Sequence, residues 1–250
     1  MKHMNHFAYG GQTVYGYDIG IIMLNTTFPR IVGDCGNART WNFPVKYEIV
    51  KEIPNDKVVL NLEYEDILPF AEAAKKLETE GVKAITTSCG FLALFQETLT
   101  KEVNVPIFTS SLIMLPLIRR MINPNKKILV MTANSETLSN QHFLSAGVKK
   151  ENFNLEILGT QHKKTFTNFT VQNWQKVNID ECRQDLFEVL DDCQSLQENN
   201  VGAMLLECTN MCPFSDDIRE RYNLPVFDFV SLVNFVHETI YISNLYRRQR

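Results

Sequence analysis

The sequence predicts an α/β protein made of two similar halves, and three observations carry that prediction. Apolar runs of four to seven residues recur, each ending in small or polar residues and followed by a segment with helical spacing, the pattern of strands alternating with covering helices. The chain also repeats itself: a shift of 119 residues lays Cys89 on Cys208. Finally, 250 residues make one large domain or two modest ones, enough to bury about 70 to 75% of the surface the unfolded chain exposes.

Taken in chain order, strands are predicted over 19–24, 58–62, 84–87, 106–109, 128–132, 155–158, 203–206 and 226–229. Eight strands are too many for one small sheet. Between them, 67–79 puts Leu68, Ala71, Ala74 and Leu77 along one helical stripe, and 182–196 puts Leu186, Leu190, Cys193 and Leu196 along another. Gly81 and Gly202 are placed at helix-to-strand turns. Parallel strands joined by covering helices give doubly wound sheets, whose ligands gather at the carboxyl ends of the strands.

The same shift superposes Leu77 on Leu196, Val82 on Val201, Ala84 on Ala203, Phe95 on Phe214, Pro106 on Pro225 and Phe108 on Phe227. With the cysteines that makes seven identities in 32 positions, against about two expected from average residue usage. Each half then contributes a helix, a strand ending in Cys, another helix and a strand beginning with Pro.

Composition removes several function classes. With 44% apolar and 22% charged residues, 11 Gly and 9 Pro, the chain is neither collagen-like, disordered nor coiled-coil. The longest apolar run, 112–118, is too short for a bilayer and contains Pro116, and 1–17 lacks the apolar core of a secretory signal. No membrane partner is expected. A net charge of −4, with basic residues scattered apart from Arg247, Arg248 and Arg250, makes nucleic acid an unsuited partner. Six cysteines in a chain without an export signal are expected as free thiols in the cytoplasm. Cys208 and Cys212 have no second pair and no His nearby, and His3, His6, His142 and His162 lack ligand spacing, so no metal is expected.

Cys89 and Cys208 each lie where an apolar strand stops and the next helix starts, in Thr87-Ser88-Cys89-Gly90 and Glu207-Cys208-Thr209-Asn210. A thiol there faces the ligand crevice, and helix amides would draw its pKa down from about 8.5 toward the working range of a base. Cys is also commonly buried as a small hydrophobe. Joint occurrence at matching strand ends favours function: two thiols on opposite faces of one molecule suit proton removal from one side of a carbon and delivery to the other.

These residues resemble the aspartate/glutamate racemase superfamily, which includes hydantoin racemases, maleate isomerases and arylmalonate decarboxylases. The resemblance covers nearly the whole chain and is carried by Ile19-Gly20-Ile21 with Asn25-Thr26, Thr87-Ser88-Cys89-Gly90, Thr132-Ala133-Asn134-Ser135 and Glu207-Cys208-Thr209-Asn210. It implies two pseudo-symmetric flavodoxin-like halves, each a mainly parallel sheet covered by helices, with the active site in the cleft between them and no cofactor. It also implies that Cys89 and Cys208 act as a two-base pair. Glutamate racemases carry Asn-Thr after the first Cys and Thr-His after the second; here Gly90-Phe91 and Thr209-Asn210 stand there, which points to another branch.

Around the thiols, Asn25, Thr26, Ser88, Gly90, Thr132, Asn134, Ser135, Thr209 and Asn210 all fall just after predicted strands, and their short polar groups and amides suit a carboxylate clamp. They are equally the preferred helix caps. Arg30, on the loop after the first strand, either pairs with a second carboxylate or is simply solvated. Glu207 either holds the Cys208 thiol protonated, orients a neighbour, or points away. Residues 33–37, with Cys35, read as a tight turn. Cys35 and Cys212 read as structural, and His237 as a helix-face residue within an amphipathic run over 231–245.

The resemblance further places 1–114 plus 214–250 in the first half and 115–213 in the second, with the last strand and helix returning to the first. The function expected is a cofactor-independent racemase or epimerase, an isomerase acting on an aspartate- or glutamate-like amino acid or related small carboxylate. The alternatives are a maleate-type cis-trans isomerase and a small-acid binding protein without catalysis. A homo-oligomer is compatible with the sequence.

Overall fold

The computed structural model describes residues 10–240; His3, His6, Arg247, Arg248, Arg250 and the end of the 231–245 run lie outside the described residues. Two four-stranded sheets form the core, and every pairing in them is parallel. In the first, β1 (Ile19–Leu24), β2 (Val45–Val50), β3 (Ala84–Thr87) and β4 (Ile107–Phe108) run in the order β2-β1-β3-β4. In the second, β5 (Lys127–Thr132), β6 (Leu155–Gly159), β7 (Val201–Leu206) and β8 (Val226–Phe227) repeat that order as β6-β5-β7-β8. The predicted fold class is therefore the observed one.

The central strands are continuous apolar runs because helices cover both faces of each sheet. All six residues of β1 and all four of β3 are buried. Edge strands differ: β2 reads Val-Lys-Tyr-Glu-Ile-Val and is mostly half-buried, as is β6. In each sheet the order reverses between a first strand and its neighbour, β1 with β3 and β5 with β7. Such a switch point opens a crevice at the carboxyl ends of those strands.

The repeat is structural. Cys89 precedes a 3-10 turn over Gly90–Phe95 and a helix over Gln96–Glu102, while Cys208 precedes a 3-10 turn over Thr209–Phe214 and a helix over Ser215–Tyr222. β4 and β8 then stand at the same offset.

Several predicted elements need correction. The 58–62 strand is absent: Val58 and Val59 lie in the helix Asn55–Leu60, where both are buried. Pro54 at its N-cap and Asp56 in its first turn favour a helix start, and tertiary burial overrides β-branched propensity. β2 has no counterpart among the predicted strands, because its alternating charges obscure an edge strand. Leu68 is 62% exposed, the core stripe of Ile67–Thr79 being set by Phe70, Ala74 and Leu77. The 182–196 helix is Ile179–Asp191 followed by the short Gln194–Gln197, and Gly202 lies inside β7 rather than in a turn.

The last strand, expected in the first half, belongs to the second sheet: Met204 pairs with Val226 and Leu205 with Phe227. β8 continues β7 as β4 continues β3, which the repeat itself demands. Only the final helix, Phe229–Ile240, returns to the first half. There His237 stacks on Phe43 at 3.7 Å and lies 3.2 Å from Asp18 Oδ2, and Phe229 meets Trp41 edge-on. No helix among the described residues is long and apolar enough to cross a membrane.

Candidate active site

Cys89 and Cys208, brought to matching strand ends by the repeat, line one small cavity between the halves. Its wall is completed by Arg30, Asn55, Ser88, Gly90, Thr170, Glu207, Thr209 and Asn210 with a largely apolar remainder that includes Phe28 and Phe91. Both thiols are unpaired, and Cys208 is the more deeply buried.

Hydrogen bonds across the cleft fix the two turns. Thr209 Oγ1 donates to the Ser88 carbonyl at 2.6 Å, and Ser88 Oγ accepts from the Leu24 amide at 2.9 Å, so the ends of β1, β3 and β7 are tied together. Asn55 Nδ2 donates to the carbonyls of Thr170 and Val171 at 2.8 and 3.1 Å, closing a further side.

Arg30, read as a loop cation, is half-buried, with its side chain 13% exposed. Its Nη1 donates to Asp34 Oδ1 at 2.6 Å and Nη2 to Thr26 Oγ1 at 2.8 Å, and its guanidinium lies 4.5 Å from the Phe28 ring centroid. Asp34 also accepts from the Gly36 amide and from Asn210 Nδ2, both at 2.8 Å. The 33–37 turn thus supplies a carboxylate that orients both a cavity cation and the turn after Cys208. Sequence reading missed Asp34, because in a turn its spacing from Arg30 carries no helix-face signal.

Electrostatics reverse one expectation. Burial, reinforced by the Glu207 charge, pushes the Cys89 thiol up to about 12 and the Cys208 thiol well above its ordinary value. Amides at the start of each 3-10 turn pull the other way, but a six-residue turn does not offset desolvation. Glu207 is itself pushed up to about 7 by burial, against a 2.7 Å hydrogen bond donated by Thr132 Oγ1 to its Oε2. Its other oxygen, Oε1, has no hydrogen-bond partner among the described residues.

Of the residues singled out by sequence, Arg30, Ser88, Cys89, Gly90, Cys208, Thr209 and Asn210 line the cavity. Asn25 lines a separate opening with Pro54 and Asn173. Thr26 and Thr132 stand one step back, holding Arg30 and Glu207. Asn134 accepts from the Glu136 amide within its own loop, and Ser135 accepts from Gln161 on the segment after β6, so neither lines the cavity. Asn55, Thr170 and Phe28 had no sequence signal, since the start of one helix, the end of another and a loop carry them in from both halves. Cys35 and Cys212 are buried, as expected of packing residues. Among the described residues no group of three or more His, Cys, Asp or Glu is arranged to hold a metal ion.

No family model matches the chain. The chain is 28% identical over 223 residues to dimethylsulfoniopropionate lyase 7 of Emiliania huxleyi (strain CCMP1516), covering 86% of this chain and 65% of the relative. It is also 28% identical over 223 residues to the dimethylsulfoniopropionate lyase of Durusdinium sp. clade D, covering 87% of this chain and 73% of the relative. Against three of the Emiliania lyases the chain spans 58 to 65% of their length. Among solved structures, glutamate racemase from Francisella tularensis aligns with a TM-score of 0.56 and 17% identity, over 90% of this chain and 82% of that one. Aspartate racemase from Picrophilus torridus aligns with a TM-score of 0.54 and 16% identity, over 92% of this chain and 98% of that one.

The structural likeness carries the fold, which is the one the sequence resemblance implied. It does not carry the reaction. The expected racemase, and with it the isomerase class, is corrected by the curated relatives, which are named as lyases. Removing a proton beside a carboxylate is a first step common to racemisation and elimination, so thiols at strand ends do not distinguish them. The fate of the resulting carbanion is set by whether the substrate carries a leaving group on the next carbon.

Proposed function

We propose that this chain is a lyase that eliminates a sulfonium group from a small carboxylate, with dimethylsulfoniopropionate, the compound in the curated relatives' names, as its substrate. The likeness to relatives named as lyases carries the reading, and the convergence of Cys89 and Cys208 on one small, mostly apolar cavity that Arg30 also lines supplies the base it needs. One thiol, as thiolate, takes the proton on the carbon next to the carboxylate. The C–H electron pair becomes the new double bond, the C–S bond breaks, and its pair leaves on sulfur as neutral dimethyl sulfide. Acrylate remains, and the thiol later returns its proton to solvent.

Arg30 supports this reading as the carboxylate's partner, since a guanidinium has donors beyond those given to Asp34 and Thr26. Thr209, Asn210, Ser88 and Gly90 shape the wall against which the substrate lies. A reducing compartment such as the cytoplasm suits a site that works through free thiols.

The test is incubation of the purified chain with dimethylsulfoniopropionate in deuterated water, with headspace gas chromatography for dimethyl sulfide and proton NMR for acrylate. Equal amounts of the two products are expected. Exchange of the α-hydrogen without release, or no change in the compound at all, overturns the reading.

A further inference from the structure

Glu207 is the one carboxylate among the described residues that line the cavity, and it is fully buried. Only one of its oxygens is satisfied: Thr132 serves Oε2, while Oε1 has no partner among the described residues. That unserved oxygen sits against the Cys89 turn, for a Cβ on Gly90 would lie 2.1 Å from it. Glycine at 90 is what allows a carboxylate to lie between the two thiol segments. A buried carboxylate with half its acceptor capacity idle is costly by itself and becomes favourable when a cation enters beside it.

We propose that Glu207 is the specificity-determining residue through which the cavity selects a substrate carrying a positive charge as well as a carboxylate. Arg30, paired with Asp34, takes the carboxylate, and Glu207 faces the onium group. The inference deepens the lyase reading and rests on it for the sulfonium as the natural cation. It also gives the thiols a route to ionisation. Burial, reinforced by the Glu207 charge, holds both of them protonated in the free protein, and a cation against that carboxylate removes the Glu207 share, so ionisation is easier where substrate is bound.

The groups that act on Glu207 are few. Thr132 donates to it from β5, Cys89 and Cys208 feel its charge from the two turns, and Arg30 on the same cavity has its charge engaged by Asp34. The preference for a cation should therefore follow the ionisation of Glu207 itself.

The probes are a size-matched pair that does not eliminate: 3-(dimethylammonio)propionate, which is cationic, and 4-methylpentanoate, its neutral carbon counterpart. Isothermal titration calorimetry on the full chain at pH 8 is expected to give at least ten-fold tighter binding of the ammonium compound. In Glu207→Gln the ratio falls to within about two-fold, with 4-methylpentanoate bound as in the wild type. On lowering the pH from 8 to 6, the wild-type Kd for the ammonium compound weakens by up to about ten-fold while that for 4-methylpentanoate does not. The pH series decides the matter on wild-type protein if the variant does not fold. Absence of a cation preference in the wild type, including failure to bind either probe, overturns the proposal, as does a preference that survives in Glu207→Gln or stays flat with pH. If the preference behaves as stated but no dimethyl sulfide is released, Glu207 keeps its role and the lyase reading falls. If dimethyl sulfide is released and the variant's preference is unchanged, the lyase reading stands and the role of Glu207 falls.

Discussion

The hydroxyl of Thr209 donates to the carbonyl of Ser88 at 2.6 Å, a buried bond between the residue after one cavity thiol and the residue before the other. It sets the spacing of the two thiol segments across the halves, because each partner is adjacent in sequence to a cysteine. Thr209→Val keeps the shape, removes the donor and leaves the Ser88 carbonyl without it, which should cost about 1 to 3 kcal/mol. Urea unfolding should register that loss, and kcat should fall more than KM rises. An unchanged unfolding midpoint with full turnover would remove this bond from the positioning of the thiols.

Gly90 touches Glu207 so closely that a methyl group there meets the backbone as well as the side chain: the added Cβ would lie 2.4 Å from the Glu207 carbonyl oxygen. Backbone yields less readily than a rotamer, so Gly90→Ala should separate the two turns and destabilise the fold by about 1 to 3 kcal/mol. Thermal melting and turnover should both drop. A melting temperature equal to that of the wild type would show that the halves adjust without strain.

Much of this architecture is legible in the sequence because central strands of a parallel sheet are buried on both faces and read as apolar runs, as in Ile19–Leu24 and Lys127–Thr132. The thiols are legible because they end two such runs at the repeat offset. β2 is not, since Lys46 and Glu48 break the apolar signal on an edge, and Val58-Val59 misleads because a β-branched pair outweighs the helix-start signals of Pro54 and Asp56. At the site, Asn134 and Ser135 carry the cap chemistry that mimics a ligand clamp, whereas Asp34 lies in a turn that looks merely tight. The direction of the Glu207 side chain depends on contacts with Thr132 and Gly90 from other segments. The leaving group of the substrate leaves no mark on the thiol pair.

Glu207 makes stability depend on pH in a defined direction. Burial raises its folded-state pKa from 4.5 to about 7, so the folded state holds the proton more tightly than the unfolded state. Its favourable share of stability is complete below pH 4.5 and is lost as pH rises through about 7. The loss amounts to about 3 kcal/mol at 1.36 kcal/mol per pKa unit. Glu207→Gln has no such term, so its stability relative to wild type should improve by about that amount between pH 4.5 and 8 in urea titrations. A difference that stays constant across the range would mean the carboxyl titrates normally.

The raised thiols set the pH dependence of the reaction. The base is a thiolate, and in the free protein burial and Glu207 put Cys89 at about 12 and Cys208 well above its ordinary value, so kcat/KM should climb with pH from 6 to 10 without peaking near neutrality. The limb in kcat, which reports the loaded enzyme, should lie at lower pH, because a bound cation offsets the Glu207 charge. Elimination needs one proton acceptor, so of Cys89→Ser and Cys208→Ser at least one should lose turnover by 100-fold or more. The variant that also loses α-deuterium exchange identifies the base. Cys35→Ser, Cys182→Ser and Cys212→Ser should keep the pH profile, since these thiols do not line the cavity. If Cys89→Ser and Cys208→Ser both fold and retain full activity, neither thiol is the base, and their matched positions reflect the repeated fold alone.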